Sequence, residues 1–220
     1  MAQRQRARFA QLHQFARKAG HVSLFDQAFA QLRRLHRRRS GQHGFKRAVF
    51  LDQLGRGLRA DAGQAGEIGE EFFNEVGGIA SVETYVFSDR ESASDPAVLR
   101  SLKRADGIFL AGGDQSRYVR YWRGTPVGAA LDAHVRAGKP LGGTSAGLAM
   151  QGEYLYGAMD GGSVISPHAL ADPLGPDNTI ETDFLQLALL KGVITDTHFS
   201  ERNRLGRLIA FVAQQKALKQ

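Results

Sequence analysis

The stretch Gly142-Gly143-Thr144-Ser145-Ala146-Gly147 is the most informative part of this sequence. It follows the apolar approach Lys139-Pro140-Leu141 and precedes the helix-like run Leu148-Ala149-Met150, a layout of strand, sharp glycine turn and helix. Its second glycine, its serine and its last glycine match G-x-S-x-G, in which a strained strand-to-helix turn holds a serine hydroxyl. Small neighbours are needed there because the backbone passes close to itself and to the substrate. The stretch therefore predicts Ser145 as a nucleophile.

Apolar runs and helical patterns alternate on both sides of this turn. Strands are predicted at Val82–Phe87, at Gly107–Ala111 and at Val193–Asp196. Helical patterns occupy residues 67–76, 96–102, 118–122, 127–135 and 201–215. Strands that alternate with helices predict an α/β protein with a doubly wound, mostly parallel sheet.

Three polar segments follow predicted strands: Gly112–Gln115, Thr144–Ala146 and Asp196–Phe199. Ligands of doubly wound sheets bind at the carboxyl ends of the strands. We therefore expect these three segments to lie together and to form a site.

A serine hydroxyl is a weak nucleophile until a base accepts its proton. His198, just past the last apolar strand, is the best candidate, because an imidazole can accept and return a proton near neutral pH. His134, within a predicted helix, and His168, in a loop after Pro167, are the alternatives. For an isolated histidine, a surface or core-edge position without a catalytic role is the simpler interpretation, but the strand-end position of His198 makes the two interpretations about equal. His168 is the better of the two alternatives.

The tetrahedral intermediate of acyl transfer needs N–H donors around its oxyanion. The amide of Ala146, directly after the serine, is one candidate, and the amide of Gly113 or Asp114 in the neighbouring glycine turn is another. Gln115 could hydrogen-bond a polar end of the substrate. Arg202 has the forked donors that suit a carboxylate, although a solvated helix face would also explain the arginines that follow His198.

Four segments in this order resemble the cyanophycinase and aspartyl dipeptidase family of serine peptidases (S51), and most closely its cyanophycinase-like branch. They are Ile108–Gln115, which contains Gly-Gly-Asp-Gln, Gly124-Thr125-Pro126, Gly143–Gly147 and Thr195–Leu208. The likeness covers about residues 65–215. Together the four segments are far more specific than any one of them.

The resemblance implies a class I glutamine-amidotransferase-like fold, which is flavodoxin-like, with Ser145 as nucleophile and His198 as base. It implies an oxyanion hole formed by the amides of Gly113 and Ala146, and no metal or organic cofactor. The implied substrates are small aspartyl or β-aspartyl peptides, including the aspartate–arginine polymer cyanophycin. The family positions that shape the substrate pocket match Gln115, Asp196, Arg202, Arg204 and Arg207.

Three departures from the family pattern affect these expectations. Thr197 stands where cyanophycinases usually carry Gln, which leaves the polymer specificity open. The family's opening strand is matched only faintly, by Ala48–Leu51, and its third triad residue is a Glu that comes later than the histidine motif. We therefore expect a domain without the family's opening and closing elements. Four carboxylates remain as unplaced candidates for the acid behind His198, namely Glu153, Glu181, Asp183 and Glu201.

Charge divides the chain of 220 residues into two parts. Residues 1–60 carry 14 Lys and Arg but only two acids, a balance of +12, whereas residues 61–220 carry −5, which together give the formal net charge of +7. We predict an N-terminal extension over residues 1–60, basic and either helical or disordered, followed by a peptidase-like α/β domain over residues 61–220. A further hypothesis is that the extension is not the native start of the domain.

Composition limits the function classes. The chain has no cysteine, which excludes disulfides, thiolate metal sites and a cysteine nucleophile. No apolar stretch approaches the roughly 18 residues of a membrane span, and no secretory signal is predicted, so we expect a cytoplasmic protein without a membrane partner.

Two other functions remain open at this point. An α/β-hydrolase esterase would need Asp172 or Asp183 as its acid, placed before His198 in the chain. An inactive relative could instead bind nucleic acid or acidic partners through residues 1–60, although a solvated extension is the simpler interpretation of that segment. A homodimer is also compatible with the sequence.

Overall fold

The computed structural model describes residues 47–53, 79–160 and 162–217. All of them belong to the second of two compact units into which the chain divides, Phe45–Gln220. The helix predicted at residues 67–76 lies outside the described residues, as does nearly all of the predicted extension.

A parallel four-stranded sheet forms the centre of the described domain. The register places Leu51 opposite Tyr85 on one side and opposite Leu110 on the other, and every pair of neighbouring strands is parallel. The strands are β1 (Arg47–Gln53), β2 (Ser81–Phe87), β3 (Gly107–Leu110) and β4 (Leu141–Gly143), in the spatial order β2-β1-β3-β4. This is the strand order of flavodoxin-like doubly wound sheets. The predicted fold class is confirmed.

The strand β1 lies in the interior of this sheet, between β2 and β3. Its residues fall within the segment that we predicted as an N-terminal extension, where Ala48–Leu51 was only a faint strand candidate. Ala48, Val49 and Leu51 are almost fully buried. A domain boundary at residue 60 would therefore separate β1 from the two strands with which it pairs.

Three helices lie between the strands of this sheet, one between β2 and β3 and two between β3 and β4. Each of them begins at a side chain that caps it. Asp95, Asp114 and Thr125 accept hydrogen bonds from amides of the first turn. Pro96 and Pro126 occupy the first helical position, where no amide hydrogen is needed. The helices are α1 (Pro96–Arg104), α2 (Gln115–Trp122) and α3 (Pro126–Arg136).

A second, three-stranded sheet follows the serine turn. Its strands are β5 (Tyr154–Tyr156), β6 (Ile180–Glu181) and β7 (Ile194–Thr195), in the order β6-β5-β7. The strand β5 pairs antiparallel with β6 and parallel with β7. The sequence placed the apolar run before His198 in the doubly wound sheet, and this was wrong. Apolar character predicts a buried strand, but it does not select the neighbour with which the strand pairs.

The remaining helices are α4 (Ala146–Ala149), α5 (Ser166–Ala171) and α6 (Leu205–Ala217). Helix α6 packs against α5, and Gly206 allows their close contact, because a Cβ there would lie 2.7 Å from the Cβ of Ser166. No helix in the described ranges is long and apolar enough to cross a membrane.

Trp122 at the end of α2 is the largest fully buried side chain of the core. Its ring meets Phe87 edge to face at a centroid distance of 5.0 Å and Tyr118 at 4.6 Å. The Tyr118 hydroxyl donates to the carbonyl of Ala111 at 2.8 Å. The aromatic cluster therefore connects the core to the turn after β3, where the sequence predicts part of a site.

We expect Trp122→Ala to destabilise the domain by about 3–5 kcal/mol, because it leaves a cavity in the core. Urea unfolding measures the free-energy change. The matched control is Leu189→Ala, since Leu189 is 88% exposed and its truncation should change stability by less than about 0.5 kcal/mol. Equal stability of both variants would contradict the proposed core.

Candidate active site

Ser145 lies on a sharp turn between β4 and α4. Its backbone has φ 50° and ψ −120°, a combination that residues other than glycine rarely adopt. The turn is closed by hydrogen bonds from Gly147 N to Thr144 O at 2.9 Å and from Ala149 N to Ser145 O at 2.8 Å. This geometry is that of a nucleophile elbow, which projects the serine hydroxyl away from the sheet.

Close backbone contacts explain the glycines of the elbow. A Cβ on Gly147 would collide with the carbonyl oxygens of Leu110 and Ala111, and a Cβ on Gly143 would collide with the carbonyl oxygen of Gly147. A larger residue at either position would push the turn away from β3. The G-x-S-x-G spacing is therefore required by packing around Ser145.

His198 approaches Ser145 from the second sheet. It follows β7 by a short loop, and its Nε2 lies 2.8 Å from Ser145 Oγ, within hydrogen-bond distance. His198 also has a positive φ, 51°. The structure thus brings together the two residues that the sequence proposed as nucleophile and base, from the ends of strands in different sheets.

The surroundings of His198 favour its neutral form. Burial lowers the pKa of His198, and the positive charges of Arg202 and Arg204 lower it further, while Glu201 and Asp196 act in the opposite direction. A neutral imidazole can accept a proton from the serine hydroxyl. The geometry and the charges therefore both suit a general base.

Within the described residues, no carboxylate hydrogen-bonds the Nδ1 atom of His198. Glu181 pairs with Arg123 at 2.7 Å, and Glu153 accepts a hydrogen bond from the amide of Gly192. Glu201 lies close enough to raise the pKa of His198, but among the described contacts no hydrogen bond joins Glu201 to His198. Asp183 accepts a hydrogen bond from the Thr182 hydroxyl. The described residues thus give a serine–histidine pair, and none of the four candidate acids hydrogen-bonds His198.

The two alternative histidines lie elsewhere. His134 is buried in α3, where its Nε2 lies 3.0 Å from the carbonyl oxygen of Pro140, and burial lowers its pKa to about 4. His168 lies in α5 and lines a separate cavity of about 320 Å³. Neither histidine faces Ser145.

The predicted oxyanion donors belong to the two turns that meet at Ser145. Ala146 is the first residue of α4, so its amide has no acceptor within that helix. Gly113 has φ 136°, which requires glycine, and it belongs to the turn after β3. A Cβ on Gly112 would lie 3.2 Å from the Cβ of Ser145, so this turn packs directly against the nucleophile. Gly113 and Ala146 both line the same cavity as Ser145.

A cavity of about 180 Å³ opens above Ser145 and His198. Of the pocket residues predicted from the sequence, Gln115, Arg202 and Arg204 line it, together with Asp114. The Asp114 carboxylate is engaged as the cap of α2. It also lies 3.8 Å from Arg117 Nε. The cavity lining thus carries two arginines and one carboxylate, and the carboxylate has a cationic partner of its own. Thr197, the position where the family usually carries Gln, also lines the cavity. The sequence did not single out the other lining residues Ala149, Ala158, Gly162 and Ser163.

The comparison with known protein families agrees with this architecture. The model of peptidase family S51 matches residues 78–219, which include the serine turn, the histidine loop and both oxyanion candidates. The chain belongs to peptidase family S51.

Among curated proteins, the chain is similar to cyanophycinases. It is 35% identical to the cyanophycinase of Trichormus variabilis over 142 residues, which cover 64% of this chain and 44% of that protein. It is also 35% identical to the cyanophycinase of Synechococcus elongatus over 149 residues, covering 67% and 42%. The chain thus spans less than half the length of these relatives.

A solved structure supports the fold. The crystal structure of a peptidase from an acI-B1 Actinobacterium superposes with a TM-score of 0.53 at 15% identity, covering 88% of this chain and 70% of the other. Together with the parallel sheet, this places the S51 domain in the class I glutamine-amidotransferase-like fold.

Two residues of the family segment Thr195–Leu208, Asp196 and Arg207, pair with each other inside the protein. The Asp196 carboxylate, 4% exposed, accepts hydrogen bonds from the Nε and Nη2 atoms of Arg207, the former at 2.8 Å, and lies 3.4 Å from Arg204 Nη1. Arg207 is 1% exposed, and its guanidinium lies over the rings of Tyr156 and Phe211. The family resemblance implied that Asp196 and Arg207 shape the substrate pocket, whereas neither of them lines the cavity above Ser145.

Arg204 connects this buried pair to the cavity. Its Nη1 donates to the carbonyl of Thr197 at 2.6 Å, and its Nη2 donates to Ser163 Oγ at 3.1 Å. Burial and the neighbouring Arg207 lower the pKa of Arg204 to about 10, so it stays charged at neutral pH. The glycine-rich run that precedes Ser163 could have indicated this side of the cavity from the sequence, but our sequence-based predictions did not include it.

The pH dependence of Ser145 reactivity tests the base. Because only neutral His198 accepts a proton, the rate of labelling by a fluorophosphonate should rise with pH through a midpoint below 6.5, the ordinary value. Arg202→Gln removes a positive charge and should move this midpoint to higher pH. Arg100→Gln, at an exposed position of α1, is the control. A midpoint unaffected by Arg202→Gln would contradict the electrostatic account.

The stability of an Asp196 variant tests the structural role of that carboxylate. Asp196→Asn leaves two buried guanidinium groups without their counter-charge and should destabilise the domain by about 3–5 kcal/mol in urea unfolding. Arg104→Gln breaks the exposed pair with Glu83 and should cost less than about 1 kcal/mol. Full stability of Asp196→Asn with a raised KM would show instead that Asp196 contacts the substrate.

Proposed function

We propose that this S51 family member is a serine-type exopeptidase that hydrolyses aspartyl or β-aspartyl peptides, with Ser145 as nucleophile and His198 as general base. One observation carries the proposal: Ser145 has the strained backbone of an elbow, and its Oγ lies 2.8 Å from His198 Nε2. A serine held in this way and paired with a neutral imidazole is arranged for nucleophilic attack.

The proposed reaction begins when Ser145 Oγ attacks the peptide carbonyl and His198 Nε2 takes its proton. The amides of Gly113 and Ala146 stabilise the negative oxygen of the tetrahedral intermediate. His198 then gives the proton to the leaving amine, and the C–N bond breaks to leave an acyl-enzyme. A water molecule, deprotonated by His198, attacks the ester, and the acid product and the free serine are released.

The charge of the cavity supports an acidic substrate. Arg202 and Arg204 both line the cavity, and because the Nη atoms of Arg204 are bonded to Thr197 and Ser163, Arg202 is the candidate to bind a carboxylate through two parallel hydrogen bonds. Gln115, at the start of α2, offers an amide to the same space. A peptide bond next to a free carboxylate, as in aspartyl and β-aspartyl peptides, fits this arrangement. The similar proteins named cyanophycinases point in the same direction.

The esterase alternative has less support. Asp172 and Asp183 are the acids that it requires, and within the described residues neither hydrogen-bonds His198. The described backbone of Asp172 instead closes a turn with Gly175. Membership of peptidase family S51 also favours amide hydrolysis.

The binding-protein alternative depends on the basic segment of residues 1–60, which lies mostly outside the described residues. Nucleic-acid binding, a homodimer, a cytoplasmic location and the absence of a cofactor remain predictions. In the described part of the chain, no group of three or more His, Asp or Glu side chains is placed to hold a metal ion.

Hydrolysis of β-aspartyl and α-aspartyl dipeptides tests the proposal. Ser145→Ala should lower kcat by about 10³-fold or more, because the nucleophile is removed while the oxyanion donors remain. Release of the free amine measures the rate, and circular dichroism shows that the variant is folded. Ser94→Ala, at an exposed serine outside the cavity, should keep full activity.

Two results would contradict the assignment. Equal turnover by Ser145→Ala and the unchanged protein would exclude Ser145 as nucleophile. Rapid cleavage of simple acyl esters without any cleavage of aspartyl dipeptides would favour the esterase alternative.

A further inference from the structure

Thr195 joins the strand that leads to His198 to the helix that follows Ser145. Its hydroxyl donates to the carbonyl of Ala149 at 2.7 Å and accepts from the amide of Gly152 at 3.1 Å. Ala149 is the last residue of α4, and its own amide donates to the carbonyl of Ser145. A short chain of hydrogen bonds therefore runs from the backbone of Ser145 to Thr195, the last residue of β7.

The packing around this link is close. A Cβ on Gly152 would lie 2.9 Å from Thr195 Oγ1 and 2.8 Å from the carbonyl oxygen of Val193. The strand β7 thus lies directly against the turn that follows α4. A hydroxyl held between a carbonyl and an amide has a defined position, because both of its hydrogen bonds are directional.

This link matters because Ser145 and His198 come from different sheets. Ser145 follows β4 of the parallel sheet, whereas His198 follows β7, which pairs with β5 over only two residue pairs. That pairing sets the direction of β7 but does not bond it to α4. The distance between the two reactive side chains therefore depends on contacts between α4 and β7.

We propose that Thr195 is a positioning residue for the reaction, and that its hydroxyl holds His198 Nε2 within hydrogen-bond distance of Ser145 Oγ. Thr195 does not line the cavity above Ser145. Its effect should consequently appear in the reactivity of the serine and not in substrate binding. The inference rests on the proposed function, since it assumes that Ser145 and His198 react as a pair.

The test compares Thr195→Val, which removes the hydroxyl but keeps the shape, with Thr195→Ser, which keeps the hydroxyl. The readouts are the rate of labelling of Ser145 by a fluorophosphonate, and kcat and KM for a β-aspartyl dipeptide. Thr195→Val should lower the labelling rate and kcat by about tenfold to a hundredfold, because a small misplacement of reacting groups has effects of this size. KM should change by less than about twofold, and Thr195→Ser should restore most of the rate.

Thr125→Val is the matched control. The Thr125 hydroxyl also donates to a carbonyl, that of Trp122 at 2.7 Å, and accepts from an amide, that of Gly128, but it lies at the start of α3. This variant should lose stability without losing labelling rate at a temperature where it is folded. If Thr195→Val does not fold, Thr195→Ala takes its place.

The outcomes separate the two proposals. If the unchanged protein is not labelled at Ser145 and cleaves no dipeptide, the proposed function fails. If the unchanged protein reacts but Thr195→Val reacts equally fast, the positioning role is refuted. An equal loss of rate in Thr195→Val and Thr125→Val would also refute it, because general destabilisation would then explain the effect.

Discussion

The reactive geometry of this domain depends on one close approach of backbone to backbone. Gly147 lies against the carbonyl oxygens of Leu110 and Ala111, and no side chain fits between them. This contact holds the turn after β4 against the end of β3. Ser145 consequently adopts a positive φ, and the glycine turn that contains Gly113 lies beside it. The proposed nucleophile and the two proposed oxyanion donors are thus positioned by main-chain packing.

Charge on the other side of the cavity has two effects at once. Two arginines share the buried carboxylate of Asp196, so a surplus of positive charge remains near His198. Burial lowers the pKa of His198, and the charges of Arg202 and Arg204 lower it further, which favours the neutral form of the proposed base. The same charges would attract the carboxylate of an aspartyl substrate. Arg207, which does not line the cavity, pairs with Asp196 inside the protein.

Several parts of the fold and of the site could be predicted from the sequence, since local rules govern them. Apolar runs between glycine turns predicted β2, β3 and β4, and strand ends predicted where Ser145 and His198 would lie. Other parts could not be predicted because distant contacts decide them. The weak run at β1 became an interior strand only through its pairing with two neighbours. Asp196 and Arg207 have the composition of a binding site, and only burial shows that they bind each other.

By itself, the sequence determined the elbow around Ser145, the alternation of strands and helices, and the membership of His198 in a strand-end segment. These features follow from local backbone sterics and from the spacing of apolar residues along the chain. Both depend only on residues that are close together in the sequence. Tertiary structure alone decided that His198 reaches Ser145 from a second sheet, which arginines face the cavity, and where the Thr195 hydroxyl bonds. Each of these depends on distances between segments far apart in the chain, and such distances are set by packing.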